Sequence, residues 1–379
     1  MTNLITTLVR KELTDAIRDK RSVMAGLYYA IFTPIVLAVV FTAIISKVTN
    51  PEDIQITIKN GTQASELINY LSNRGITHGN DSANLKEIEL VISSNFAEQL
   101  NRAQPAEITL ISDQSEDSLR GPIGRIQSNL RAYSSEMASL RLIARGVNPT
   151  IMNPLKINVE DQATSDSKAG QLLSMMILTI VLSVFISGMN LAIDTSAGER
   201  ERNSLALLLS HPVSVRQLVA SKTLAVSVFG ILGLVLIMLV SKLVYPFVPW
   251  QELGFSVDIS AQFMFLTLLI GSTVAIFAAS MQLFVSFMAK SFKEAQTYIS
   301  FVLIVPMALS YATTLDFAVD ELRWAPVSGQ LQALIDLAKG KEIPMLQLAV
   351  SCLSTLALSI ALIFGMERLL KSEKIVFGL

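Results

Sequence analysis

The chain has 379 residues, 51% hydrophobic and only 16% charged, with a net charge of −1 and a mean hydropathy of +0.51. Soluble domains carry about 25% charged residues, so an ordinary soluble globular chain is excluded, and the near-zero charge gives no bulk attraction to nucleic acid. The single cysteine, Cys352, lies in an apolar run; it excludes a disulfide framework within the chain and reads as a small apolar filler.

In chain order, residues 1–23 predict an amphipathic helix. Leu4, Ile5, Leu8, Leu13, Ala16 and Ile17 share one face, with Lys11, Asp15, Arg18 and Asp19 largely opposite. Such a helix lies in the membrane interface with its apolar face toward lipid, and its basic residues also serve as a topology signal. The first apolar run, within 24–46, is too long for a signal-peptide core and has no convincing cleavage site, so it reads as a retained helix.

Residues 47–170 form a polar insertion large enough for a domain of its own. Strands are predicted at Ile54–Ile58, Ile88–Ile92, Ile108–Ile111 and Leu155–Val159, and a helix at Ala64–Ser72. A long helix is predicted over Leu119–Arg145, broken at its start by Gly121-Pro122 and stopped by Gly146. The expectation is an α/β module outside the cytoplasm.

Residues 171–379 hold five further apolar runs, giving six spans in all: Met24–Ile45, Leu172–Ile193, Thr223–Val240, Phe263–Met288, Tyr298–Leu315 and Leu348–Leu369. Each approaches the ~20 residues that cross a hydrocarbon core. Basic residues cluster before span one (Arg10, Lys11, Arg18, Lys20, Arg21), between spans two and three (Arg200, Arg202, Arg216, Lys222), between four and five (Lys290, Lys293) and after six (Arg368, Lys371, Lys374). These alternate loops share one side, which the positive-inside rule makes the cytoplasm, with both termini there.

The segment 196–222 stands out. It opens with alternating charges, Glu199, Arg200, Glu201 and Arg202, continues through Ser204 and the apolar set Leu205, Leu207, Leu208 and Leu209, breaks at His211-Pro212, and resumes at Val213 toward Lys222. Apolar anchors beside charged register contacts suit a groove on a soluble partner.

The spans lack ionisable groups except at their ends (Asp194, Glu294, Glu367), whereas proton- or ion-coupled transporters need charge or unwound helix at depth. Their polar residues are neutral, and Ser183, Ser187, Asn190, Gln282 and Tyr311 are candidates for a pathway, with helix packing as the competing role. No GxxxxGK[ST] or GxSxG occurs, and the two histidines, His78 and His211, fall on opposite predicted sides, which removes a His-based metal site or triad.

The loop GERERNSLALLLSHPVSVRQLVASK, the start KELTDAIRDKRS, Pro34 in span one and the six-span plan together resemble the permease subunits of ABC-2 type exporters, over nearly the whole chain. The large insertion after span one is similar to the subgroup of sodium-extrusion, NatB-type permeases. One departure stands: the common Gly-Thr-Leu-Glu is here Asn203-Ser204-Leu205-Ala206, which removes a carboxylate and leaves the leucine run. The resemblance implies a non-catalytic, multi-pass permease half in the cell (inner) membrane, homodimeric with a second copy and served by two cytoplasmic ATP-binding-cassette subunits that bind ATP and Mg. It implies that this chain holds no cofactor of its own, and that segment 199–222 transmits the ATPase motion. Sodium or another cation is the first substrate, with a drug, peptide or lipid-like molecule as alternative. Two readings of other classes remain: a membrane-tethered extracytoplasmic binding or sensor protein, and an intramembrane enzyme, which the thin supply of catalytic side chains disfavours.

Overall fold

A computed structural model describes residues 2–49, 53–79, 85–113, 115–152, 170–254, 257, 259–314 and 319–372. The chain divides into two compact units, one within 1–45 and 162–379, the other within 46–161.

The first unit is helical. It contains α1 (Thr2–Arg18), α2 (Lys20–Thr49), α6 (Gly170–Ile193), α7 (Ser204–Leu209), α8 (Val215–Val244), α9 (Ala261–Met288), α10 (Phe292–Val302), α11 (Ile304–Thr314), α12 (Val319–Leu322), α13 (Ser328–Ala338) and α14 (Met345–Leu369). Five helices among the described residues are long and apolar enough to cross a membrane: Gly26–Lys47, Leu172–Glu201, Val215–Phe247, Ala261–Met288 and Met345–Leu369. The expected fifth span, Tyr298–Leu315, is not one helix. It is divided between α10 and α11 at Leu303. Pro306 supplies the reason, since its ring crowds the carbonyl of Val302 four residues back and it has no N–H to donate there.

One core joins Phe185 and Val184 of α6, Leu234 and Ile237 of α8, Val274 and Phe277 of α9, and Leu331 and Leu334 of α13. The last pair is unexpected, because it falls between the spans expected at Tyr298–Leu315 and Leu348–Leu369, where no element was anticipated. Instead Ser328–Asp336 is buried throughout. Gln330 is matched on both sides: its Nε2 donates to Thr273 Oγ1 (3.0 Å), and its Oε1 accepts from Thr355 Oγ1 (3.1 Å) and Ser351 Oγ (3.2 Å). Arg323 donates to Asp336 Oδ2 at 2.6 Å. A β-branched residue with positive φ, Val327 (φ 66°), turns the chain into α13, and Ser328 N–H donates to Pro326 O at 2.7 Å across that turn. This is the strained three-residue γ-turn.

The second unit is an α/β fold: β1 (Ile54–Lys59), α3 (Ser65–Ser72), β2 (Ile76–His78), β3 (Leu85–Ile92), α4 (Phe96–Asn101), β4 (Ile108–Ser112) and α5 (Asp117–Ala144). The sheet order is β2-β1-β3-β4, parallel except for β3-β4. Alternation sends Ile54, Ile56, Ile58, Ile88, Leu90 and Ile92 to one face, where they meet Leu67 and Leu71 of α3 and Leu119, Ile123 and Ile126 of α5. β2 and α4 were not anticipated, and the strand expected at Leu155–Val159 lies outside the described residues.

Helix α5 is not broken at Gly121-Pro122. Pro122 falls near the helix start, where its missing N–H costs a single bond to Ser118. The stop at Gly146 holds: with φ 73°, this glycine lets Val147 N–H reach Leu142 O and its own N–H reach Ile143 O. That is the Schellman closure, which favours glycine at the left-handed position.

Candidate functional site

The segment after the second span forms a braced base rather than a free loop. Helix α6 continues through a π turn at Asp194–Gly198 and one further turn, Glu199–Glu201. From Leu172 to Glu201 this is 30 residues, about 45 Å of helix against a hydrocarbon core of about 30 Å. The helix is thus about 15 Å longer than such a core. Thr195 and Ser196 are buried in the π turn, and Ser196 Oγ donates to Ser286 Oγ of α9 at 2.6 Å.

All four charges expected to face a partner are engaged within the chain. Glu199 is only 5% exposed and accepts from Lys222 Nζ at 2.7 Å and from Lys11 Nζ at 3.2 Å. Lys222 is wholly buried and also donates to Glu12 Oε1 of α1 at 3.0 Å. Lys11 completes the set, 3.2 Å from Glu12 and 3.5 Å from Asp15. Burial works against the Lys11 charge, but the carboxylates of Glu12 and Glu199 outweigh it and hold its pKa above the ordinary lysine value. Lys11 stays protonated across the neutral range.

Arg200 donates to the carbonyl of Ala289 at the C-terminus of α9 (2.9 Å), and Glu201 accepts from Phe292 N–H at the N-terminus of α10 (2.7 Å). Each charge meets the helix end of opposite partial charge. Arg202 pairs with Asp194 at 3.0 Å on the surface, an arrangement that contributes little. Glu199, Arg200 and Glu201 thus staple α1, α8, α9 and α10 to the end of α6, a role within the chain that the sequence did not suggest.

The α1 helix is held differently from the expected lipid-facing pose. Glu12, on α1, is 1% exposed, and Ala16 and Leu13 pack into a cluster with Leu205, Leu218, Val219, Phe287 and Met366. A buried carboxylate is tolerable only where a cation meets it, and Lys222 does so.

The apolar anchors separate into two sets. Leu205 is buried, and Leu208 and Leu209 are half-buried against the same cluster, so all three hold α7 to the base. Ser204 Oγ donates to Glu199 O at 3.0 Å, and Asn203 turns the chain with φ 58°. What projects is Leu207, 64% exposed, with His211 and Pro212; Val213 is half-buried. Leu207 belongs to the apolar set read from the sequence, and its helical spacing from Leu205 and Leu208 leaves it on the other face of α7.

The pathway candidates are not brought to one open surface. Ser183, Ser187 and Gln282 are buried among helices. Ser183 Oγ donates to Ile180 O, Ser187 Oγ to Gly26 O at 3.3 Å, and Gln282 Nε2 to Phe185 O at 2.7 Å. Ser187 sits where α2, α6 and α8 meet, with Gly26 and Gly233 on either side. This is the packing role that small and hydroxyl residues fill in membranes. Asn190 is half-buried, and Tyr311 is 58% exposed on α11.

The family model described as ABC-2 family transporter protein matches residues 25–366. This chain belongs to the ABC-2 transporter family. It is similar to the ABC transporter permease protein NatB of Bacillus subtilis (strain 168), 24% identical over 323 residues that cover 80% of this chain and 81% of that relative. No solved structure matches the chain. The ABC-2 chain is accordingly a multi-pass membrane permease subunit, in a family whose ATPase activity lies in a separate subunit.

Proposed function

We propose that this ABC-2 permease subunit is the membrane half of an exporter, and that the Leu207–Pro212 turn receives the stroke of a cytoplasmic ATPase. The observation that carries this is the exposure of Leu207 on a base whose neighbouring charges are all engaged internally. A soluble partner pressing on that turn moves α6, α8, α1 and the α9–α10 corner together.

In this reading α10 and α11 make the sixth crossing; their 23 residues reach about 34 Å, enough to span. Both termini and the 196–222 base face the cytoplasm, and the 46–161 module lies outside. Two copies form the permease, using apolar faces such as Tyr28, Phe32, Val36 and Val39 of α2, 47–65% exposed, with one ATP-binding subunit each. The exported substrate is a small cation, sodium first, a choice that rests on the subgroup resemblance.

The test is Leu207→Asp. The side chain is exposed, so the fold should not suffer, whereas a carboxylate pushed into a partner's apolar groove is desolvated without a counter-charge. Co-purification of the ATP-binding subunit and ATP-driven sodium efflux, read as uptake into inverted vesicles, should both fall at least tenfold, with membrane insertion unchanged. Normal values for both remove the turn from the mechanism.

A further inference from the structure

The helical unit holds a cavity of about 380 Å³ between α6, α9 and α13, at the ends of α6 and α9 opposite the 196–222 base. Leu173, Met176, Ile177 and Ile180 of α6 line it at i, i+3, i+4 and i+7, one helix face running about 10 Å. Phe263 of α9 and Leu337 of α13 stand beside them. The only polar side chains in the lining are Ser260 and Gln262, at the start of α9, and the exposed Ser260 marks the opening. Protein interiors leave few voids larger than a water molecule, so a space of this size calls for an occupant.

What the walls lack narrows the choice. No ionised side chain lines the space, so neither a cation nor a carboxylate finds a counter-charge there. Ser260 Oγ is already engaged, accepting from Phe263 N–H at 3.1 Å as the cap of α9. Below that rim the walls are apolar, and an apolar cavity of even about 150 Å³ stays dry and takes a hydrocarbon ring. The surroundings supply hydrocarbon. Helices α6 and α9 are both long and apolar enough to cross the membrane. Phe265 and Leu269, 66% and 60% exposed, follow Gln262 at i+3 and i+7 on one face of α9. An exposed apolar face of a spanning helix therefore runs up to the mouth of the cavity.

We propose that this cavity seats one acyl chain of a membrane phospholipid, whose headgroup stays outside at the rim of Ser260 and Gln262. Moving a chain from bilayer to protein gains no hydrophobic energy, since both surroundings are apolar. What favours it is dispersion: walls that face an empty space forgo contacts that a chain restores. The bilayer presents such chains at high concentration, so a weak preference is enough to fill the site by mass action. The site depends neither on the exported substrate nor on which side of the membrane it faces.

The experiment uses the full chain in nanodiscs made with a phospholipid that carries a mid-chain diazirine. Photolysis should label Met176, Ile177 or Ile180, which are 4%, 1% and 2% exposed and out of reach of bulk lipid, as well as Phe265 and Leu269. Ala338→Phe puts a ring into the cavity from α13. It should lower the α6 labelling at least fivefold and leave that at Phe265 unchanged. Labelling confined to Phe265 and Leu269 in the parent chain overturns the proposal without recourse to any variant. So does α6 labelling that Ala338→Phe leaves intact, because the chain then reaches α6 by another route. A diazirine fatty acid that labels α6 where the phospholipid does not overturns it in favour of the free acid.

Discussion

Removing the Lys222 ammonium should be among the most damaging single changes available in this chain. In Lys222→Met the methylene stem is largely kept, so packing is little altered. What changes is charge: Glu12 and Glu199, 1% and 5% exposed, lose their buried partner and share only Lys11, 3.2 Å from each. Breaking a buried ion pair by deleting one partner costs about 3–5 kcal/mol, because the remaining charge stays desolvated. At the lower end of the usual scaling, near 2 °C per kcal/mol, this is a fall of roughly 6–10 °C in the unfolding midpoint. The assay is thermal unfolding of detergent-purified protein, followed by size-exclusion profile and by tryptic release of α1. Adding Glu199→Gln and Glu12→Gln to Lys222→Met removes the orphaned charges and should recover most of the loss. A Lys222→Met protein that melts within about 1 °C of the parent, a third or less of what even 1.5 kcal/mol would give on that scaling, and keeps α1 protected refutes the staple. So would a triple variant no better than the single one, since that assigns the loss to packing and not to charge.

Gly233→Ala should loosen the α6–α8 contact: a Cβ there overlaps the Ser187 hydroxyl and comes within 2.5 Å of the Ser187 Cβ. Overpacking of this kind costs about 1–3 kcal/mol, and Ser187→Gly in the same chain should restore the melting midpoint. Gln330→Leu should cost about 1–3 kcal/mol, because Thr273, Ser351 and Thr355 lose their shared buried partner. Faster proteolysis within 319–338 reports it, and an unchanged cleavage pattern contradicts the anchoring role.

The apolar spans and the strand alternation of β1 and β3 were legible because each is a local pattern with a fixed period. The stop at Gly146 was legible for the same reason, since a helix end with a left-handed glycine is decided within a few residues. The Lys222 network was not. Glu12, Glu199 and Lys222 are separated by up to 210 positions, and nothing in the periodicity of any one helix announces a partner in another. A weak signal was present: a lysine at the door of an apolar run must find a counter-charge or remain in water. Helix α13 was not anticipated, because Gln330, Gln332 and Asp336 interrupt Leu331, Leu334 and Ile335 and keep the apolar run short of a span. Its signal was the pair of amides, Gln330 and Gln332, set among apolar residues, which suits a buried network more than a solvated turn.

The charge run has a role inside the fold that its sequence did not suggest, and this bears on the proposed mechanics. Charges that only matched a partner would pass force through whichever side chains happened to touch. Charges fixed at the end of α9, the start of α10, and through Lys222 and Glu12 to α8 and α1, make one rigid block of the base. Under the proposed function, such a block would carry a push at Leu207 to several helices at once, and α6 reaches it through the π turn at Asp194–Gly198. A π turn has lower intrinsic stability than the α-helix on either side and often sits at functional sites. A two-state element is what transmission between distant surfaces requires. Conversion of this turn to regular α-helix would shift the base relative to the span by about one residue, roughly 100° of helical rotation. The polar groups that would change partners in that step are Thr195 Oγ1, bonded to Leu191 O, and Ser196 Oγ, shared between Ala192 O and Ser286 Oγ. The hydroxyls buried beside the turn are thus placed where the bond exchange would occur.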